Sequence, residues 1–335
     1  MTTPGAAERL EQAVRGYQNT AILHAAIQLD LPDVMAAGEP FIDDLSAGVR
    51  CDPAELVRLL RALELLDVCT EVAPGQYVLT EAGRCLLRNS PEPHRELIGL
   101  AVDQYWDSWA DLAHSVRTRE SAFVHLHGVG PFAWRQANPA SDRLFGTWLS
   151  KETARSTAAI TAHIDLSTDG HVVDVGGGHG GLLAALLQRH PGVQGTLFDQ
   201  PAVLDQAAAG WPPELTARTA FVAGDFFESV PVLADVFVLK SILHDWTDDQ
   251  SVQILSRCAA SMAPGARLLV VERLLNDPDG DHAATVRLDL HMMAVTGGRE
   301  RSASEYEHLL GSAGLTVDTM VSTRTGFAIV EARCR

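Results

Sequence analysis

Three residues combine a type and a setting that suit proton transfer. His244 stands just past an apolar run, Val236 to Lys240. Glu272 closes another, Val270-Val271-Glu272, where a carboxylate is expensive to bury without a partner. Glu300 lies in Gly297-Gly298-Arg299-Glu300-Arg301. A histidine, with an ordinary pKa of about 6.5, is the usual side chain for taking a proton at neutral pH. A carboxylate on its other ring nitrogen would hold the tautomer. Glu272 and Glu300 are both candidates for that place. An ion pair with a neighbouring arginine is the plainer reading of Glu300. Asp245 is expected to cap the following helix or to meet a cofactor.

The second chemical centre is His171 to Gly181, HVVDVGGGHGG. A β-branched run, Val172 to Val175, stops at a glycine cluster, and a helical pattern from Leu182 to Arg189 follows at once. Strand, glycine turn and helix open a nucleotide-binding α/β unit, because the ligand must approach bare backbone at the turn. The letters fit two fingerprints. Gly176, Gly178 and Gly181 have the dinucleotide spacing; Asp174, Gly176, Gly178 and Gly180 have that of S-adenosylmethionine (SAM). A dinucleotide brings a pyrophosphate that the Asp174 carboxylate would repel, whereas SAM brings an ammonium that it can hold. Asp199 ends the next apolar run, about 20 residues on, where an acidic residue accepts from ribose hydroxyls. Gly224-Asp225-Phe226 closes a third run, with a carboxylate for the adenine amino group and a ring to pack on the purine.

VVDVGGGHG, LFDQP, GDFF, LKSILHDWTDD and GGRERSASEYEHLL, in this order, resemble the SAM-dependent small-molecule O-methyltransferases. These include the plant caffeate and flavonoid enzymes and bacterial relatives in aromatic polyketide pathways. The matching stretches span residues 172–310, and the amino-terminal half has the family's general shape. The resemblance implies an α/β fold: a class I methyltransferase Rossmann-like doubly wound sheet behind a mainly helical, winged-helix dimerisation domain. It implies methyl transfer from SAM, leaving S-adenosylhomocysteine (SAH), to a phenolic hydroxyl of a small aromatic natural product. His244 is then the general base, Glu272 and Glu300 are its two carboxylates, and no metal takes part. The cofactor set is Asp174, Gly176, Gly178, Asp199, Gly224, Asp225, Phe226, Lys240 and Ser241, with His179 facing the amino-acid end. The helical segment before the glycine loop forms one wall of the acceptor pocket, with Phe145, Trp148 or Leu149 placed to touch a ligand. Met292 and Met293 suit flat apolar shapes, and either line that pocket or pack in the core. Asp289 and His291 lack the third oxygen ligand that a magnesium-dependent methyltransferase needs.

The elements that must position these residues alternate from His171 onward. Strands are expected at 171–175, 195–199, 219–223, 234–240 and 266–272 with helices between them, a doubly wound parallel sheet. The tail adds a hairpin, Leu315 to Ser322 and Gly326 to Ala332, that suits a methyltransferase sheet with one antiparallel strand. Three parts follow: 1–98, a winged-helix-like dimerisation domain; 99–165, a helical connecting segment; and 166–335, the SAM-binding catalytic domain. In the first part Ala7 to Leu29 reads as helical and Leu31-Pro32 as a turn. A short helix starts at Phe41, and Asp52-Pro53 opens Ala54 to Leu66. A hairpin then turns at Pro74-Gly75, and a helix starts at Thr80. The connecting segment is rich in aromatics, which at that density form core, and it breaks at Gly128 to Pro131.

A net charge of −17 and no basic stripe argue against nucleic acid and against an anionic membrane surface. Five cysteines without a C-x-x-C pair suit idle thiols in the cytoplasm. No signal peptide or membrane span is visible. Two other readings stay open: a SAM-binding relative that catalyses hydroxylation, decarboxylation or a pericyclic step, and a winged-helix regulator.

Overall fold

Asp52 Oδ1 accepts the amide hydrogens of Ala54 and Glu55 at 2.8 and 3.2 Å and so starts the helix Pro53–Leu65. This is the leucine-rich helix of the first half, in a computed structural model that describes residues 5–38, 41–167 and 170–334. Leu56, Leu60 and Leu63 are buried on one face, while Leu65 is 88 % exposed. Strands β1 (Cys69–Ala73) and β2 (Gln76–Leu79) follow as an antiparallel hairpin, and Thr80 caps Glu81–Arg84. Helix then hairpin is the expected winged order. Leu31-Pro32, however, is not a turn: it begins the helix Leu31–Ala37. Asp30, left-handed at φ 54, turns the chain one residue earlier. Proline is tolerated in a first helical turn because its missing N–H would have no intrahelical acceptor there. The first helix, Ala6–Val14, has no buried residue, and Leu10, Val14 and Tyr17 are exposed.

By internal packing, residues 1–106 with 139–151 form one unit and residues 107–138 with 152–335 another. Gly128, at φ 73, ends the helix Ala122–His127, and Pro131 opens Pro131–Ala137, as the two residue types predict. The aromatics here do not all form core. Phe123 and Tyr105 are buried, but Trp109 and Phe132 are 38 % and 36 % exposed. Phe132 stacks on Trp246 and lies under the Arg135 guanidinium, and Trp109 sends its N–H to a polar partner.

The second unit is built on seven strands: β3 (His171–Val175), β4 (Gln194–Asp199), β5 (Thr219–Ala223), β6 (Val236–Lys240), β7 (Arg267–Glu272), β8 (Leu315–Ser322) and β9 (Ala328–Cys334). Their order is β5-β4-β3-β6-β7-β9-β8, parallel except β9, which runs antiparallel to both neighbours. Helices cover both faces, so the strands read as nearly continuous apolar runs. Val172, Val236, Val238, Leu269 and Val271 pack into one layer, and Val173, Val175, Phe237, Leu239, Leu268 and Val270 into the other. The strand order reverses at β3 and β6, and ligands bind at the carboxyl ends of such a pair. Among the described residues no helix is long and apolar enough to cross a membrane, and all five cysteines are free.

Candidate active site

Asp174, near the end of β3, is buried, and its Oδ2 has no hydrogen-bond partner among the described residues. Burial pushes its pKa up to about 7, against the pull of the nearby Lys240 charge. The loop that follows is left-handed at Gly176 (φ 69) and Gly178 (φ 60). A Cβ on Gly176 would also stand 2.6 Å from Ile242 Cδ1. The Gly178 amide donates to Asp199 Oδ2 at 2.8 Å, and the Gln200 amide to Asp199 Oδ1 at 2.7 Å. These contacts tie the end of β4 to the glycine loop, while burial raises the Asp199 pKa. Asp225 Oδ1 accepts the Phe227 amide at 2.8 Å and turns the chain after β5. Phe226 packs edge-on to Trp246, its ring bordering Gly176, and Gly224 leaves the space that the Phe198 ring fills. His179 is exposed in the loop. Lys240 Nζ lies 4.9 Å from the centre of the Phe327 ring, and burial lowers its pKa while Glu272 and Asp174 pull it up.

Past Lys240 the backbone takes an uncommon step: Ser241 is left-handed at φ 54. It leads into a short 3₁₀ turn, Leu243–Asp245, that carries His244. Glu272 Oε1 accepts the amides of Ile242 (3.0 Å), Leu243 (2.8 Å) and His244 (3.4 Å). From the other side the buried Arg301 donates to the carbonyls of Leu243 and Trp246, each at 2.8 Å. The Arg299 amide donates to the His244 carbonyl at 2.8 Å. Gly298 makes that approach possible, since a Cβ there would stand 2.0 Å from the same oxygen. With its backbone held, His244 places Nδ1 2.8 Å from Glu300 Oε1, 3.8 Å from Glu272 Oε2, and Nε2 3.9 Å from Asp245 Oδ2. Glu272 and Glu300 are fully buried. Burial alone would lower the histidine pKa; the carboxylates of Glu272, Asp245 and Glu300 outweigh it and raise it to about 10. Burial raises Glu272 to about 7.

The sequence-derived triad is therefore brought together, with unequal parts. Glu300 is bonded to the ring, and Glu272 mainly to the turn's backbone. Glu300 is not the partner of a neighbouring arginine: Arg299 pairs with Glu305 and Asp248, and Arg301 with Asp248. Asp245 does not cap the next helix. Thr247 does, in a capping box with Gln250, leaving Asp245 beside the histidine. Sequence reasoning misses Arg301 as part of the site, because it holds the turn through backbone oxygens, those of Leu243 and Trp246. Asp289 Oδ1 accepts the Glu300 amide at 2.9 Å. Met292 is buried and Met293 half-buried on the helix His282–Val295. Phe145, Trp148 and Leu149 are half-buried on Pro139–Ala162, in the first unit.

Residues 109–316 match the O-methyltransferase domain. The chain belongs to the O-methyltransferase family. Its residues 11–89 match the O-methyltransferase dimerisation domain. It is 38 % identical to O-demethylpuromycin-O-methyltransferase of Streptomyces alboniger, over 98 % of this chain and 89 % of that one. The solved structure of LaPhzM superposes with a TM-score of 0.91 at 33 % identity, covering 99 % of this chain and 100 % of that one. The O-methyltransferase NcsB1 of neocarzinostatin biosynthesis, solved with SAM and 2-hydroxy-5-methyl naphthoic acid, superposes at 0.82 and 31 % identity, over 94 % and 96 %. Of the readings open from sequence, methyl transfer is the one this membership favours.

Proposed function

We propose that this O-methyltransferase moves a methyl group from SAM to a phenolic hydroxyl of a small aromatic natural product, with His244 as general base. The observation that carries the reading is the 2.8 Å pairing of His244 Nδ1 with Glu300 Oε1, one strand away from the glycine loop. SAM suits that loop: its ammonium answers the buried Asp174 oxygen that has no partner, and Asp199 and Asp225 keep lone pairs for ribose and adenine. Gly176, Gly178 and Gly224 keep the backbone bare there, Phe226 offers the adenine a ring, and Lys240 and Ser241 close the set at the end of β6. When bound, SAM supplies a methyl group already activated on a sulfonium.

The chain's own task is to strip and aim the acceptor. A phenol, with a pKa near 10 judged by tyrosine, is barely ionised at neutral pH. His244 Nε2 takes the hydroxyl proton while Nδ1–H donates to Glu300 Oε1. A histidine raised to about 10 is matched to such a phenol, so the proton moves with little uphill cost from the proton-free ring, which is the minor form at neutral pH and grows as pH rises. Glu272 and Arg301 keep the turn still as the charge shifts. No metal enters this reading: His244 Nδ1 is given to Glu300, and the base alone accounts for the proton. Met292 and Met293 are proposed for the acceptor wall, and Phe145, Trp148 and Leu149 are separately proposed to touch a ligand.

The test is mass spectrometry of hydroxylated arenes incubated with enzyme and SAM. Methyl ethers and SAH should form in equal amounts. SAM bound but never consumed across the panel would move the assignment to a non-methylating step. The proposed assembly is a homodimer, supported by the first helix that buries nothing within one chain; Val14→Glu in the full chain should shift the sedimentation coefficient toward a monomer. The proposed compartment is the cytoplasm, in keeping with five free thiols. The acidic charge supports a helix–hairpin used for packing rather than for DNA.

A further inference from the structure

The helices Leu112–Thr118 and Ala122–His127, joined by a short turn, bring two imidazoles face to face. The rings of His114 and His125 stand 3.8 Å apart, centre to centre, with planes 17° from parallel. Each ring has a carboxylate at its edge. Glu120 Oε2 lies 3.1 Å from His114 Nε2, and Asp111 Oδ2 lies 4.0 Å from His125 Nε2. Asp111 holds the N-cap position of Leu112–Thr118, where an aspartate ordinarily accepts an amide hydrogen of the first turn. Its side chain makes no such bond. One donor atom each from Asp111, His114 and His125 lies within 4.8 Å of the other two. None of these residues belongs to the triad or to the glycine loop.

We propose that Asp111, His114 and His125 bind a divalent transition-metal ion of the zinc class, with Glu120 bracing the His114 ring. Two imidazoles and a carboxylate are a zinc donor set, whereas magnesium and calcium take oxygen. Metal-bound imidazoles are neutral, so the four side chains bring two negative charges for a divalent ion to balance. They do so on a chain whose net charge is −17, which itself draws cations. Zinc holds nitrogen and oxygen at about 2.0–2.2 Å, which sets its donors roughly 3–4 Å apart. The side chains of His125 and Asp111 are 50 % and 37 % exposed and have room to turn through the remaining distance, tilting the stacked rings onto one ion. The ion fastens and does not react. Ser121, in the turn between the two helices, donates to the carbonyls of Ala294 and Val295, at 3.1 and 2.7 Å, at the end of His282–Val295. Clamping the pair therefore steadies the end of that third helix as well.

The test is calorimetric titration of zinc chloride into the full chain, prepared without an affinity tag and stripped with a chelator. One zinc per chain should bind and raise the melting temperature. Glu120→Gln should weaken binding about ten-fold, as loss of a carboxylate brace on a ligand does. His114→Gln and His125→Gln should each weaken it further and cancel the thermal shift. His125→Gln alters a half-exposed side chain, so its metal-free melting temperature should equal that of the wild type, and its loss of zinc is read on a folded protein. Magnesium chloride in the same titration should neither bind nor compete. No binding by the wild type, zinc held equally well by both histidine variants, or competition by magnesium overturns the inference. Turnover should survive the stripping, and its loss would overturn the fastening role. The titration itself does not depend on the methyl-transfer reading.

Discussion

Glu272 and Arg301 hold one turn from its two chemical sides. The carboxylate collects the amides of Ile242, Leu243 and His244, and the guanidinium collects the carbonyls of Leu243 and Trp246. Both side chains are buried, so neither set of bonds has water as a substitute. Glu272→Ala should strand the amides and cost about 1–3 kcal/mol of stability for the orphaned groups. Glu272→Gln keeps an oxygen for them and should recover most of it. Denaturant midpoints of the two variants decide this; equal losses would mean the amides are not what Glu272 serves.

His244→Ala should lower turnover by roughly 10²–10⁴ and leave SAH affinity nearly unchanged. Glu300→Gln should cost less, since it weakens the ring's partner without removing the base. A chelator should change neither. These are kcat measurements at saturating SAM beside SAH titrations; unaltered turnover in His244→Ala would make the histidine structural.

The wild-type rate should climb with pH between about 7 and 10. His244 is raised to about 10, so its proton-free, base-competent form grows over that window. The rate of His244→Ala should rise with a comparable slope, because the phenolate of an acceptor with a pKa near 10 grows over the same window, and should stay below the wild type by the factor lost with the base. The check is the pair of pH–rate profiles on one phenol. A wild-type rate that falls from pH 7 upward would contradict the assignment.

Asp174 should make donor binding pH-dependent. Burial sets it near 7, so below that pH the free protein carries a proton there that an arriving ammonium must displace. SAH affinity should therefore weaken as pH drops from 7 toward 5, with proton release on binding. Calorimetry in buffers of different ionisation enthalpy measures both. Asp174→Asn should flatten the dependence.

Much of this was legible in the residues because strands buried on both faces spell themselves as unbroken apolar runs. β3, β5 and the tail strand β8 begin and end at the expected 171–175, 219–223 and 315–322. The partnership of His244 with Glu300 was legible only as a choice between two carboxylates, since Glu272 and Glu300 sit equally well in sequence. Arg301 was opaque for a physical reason: the partners through which it holds the turn are the carbonyls of Leu243 and Trp246, which every residue owns. The helix cap was readable in retrospect. Thr247 followed three residues later by Gln250 is a capping-box signature, and it outranks the more conspicuous Asp245. Leu31-Pro32 misled because proline marks helix starts as readily as turns. Ser241's left-handed backbone has no glycine to announce it.

The groups that fix His244 come from β7, from the loop 298–301 and from the turn itself. None is borrowed from the helices that carry Trp109, Arg135 or Phe145. Substitutions on those helices therefore leave the proton-taking apparatus as it is. Such an enzyme can inherit its reaction while those helices change, one side chain at a time.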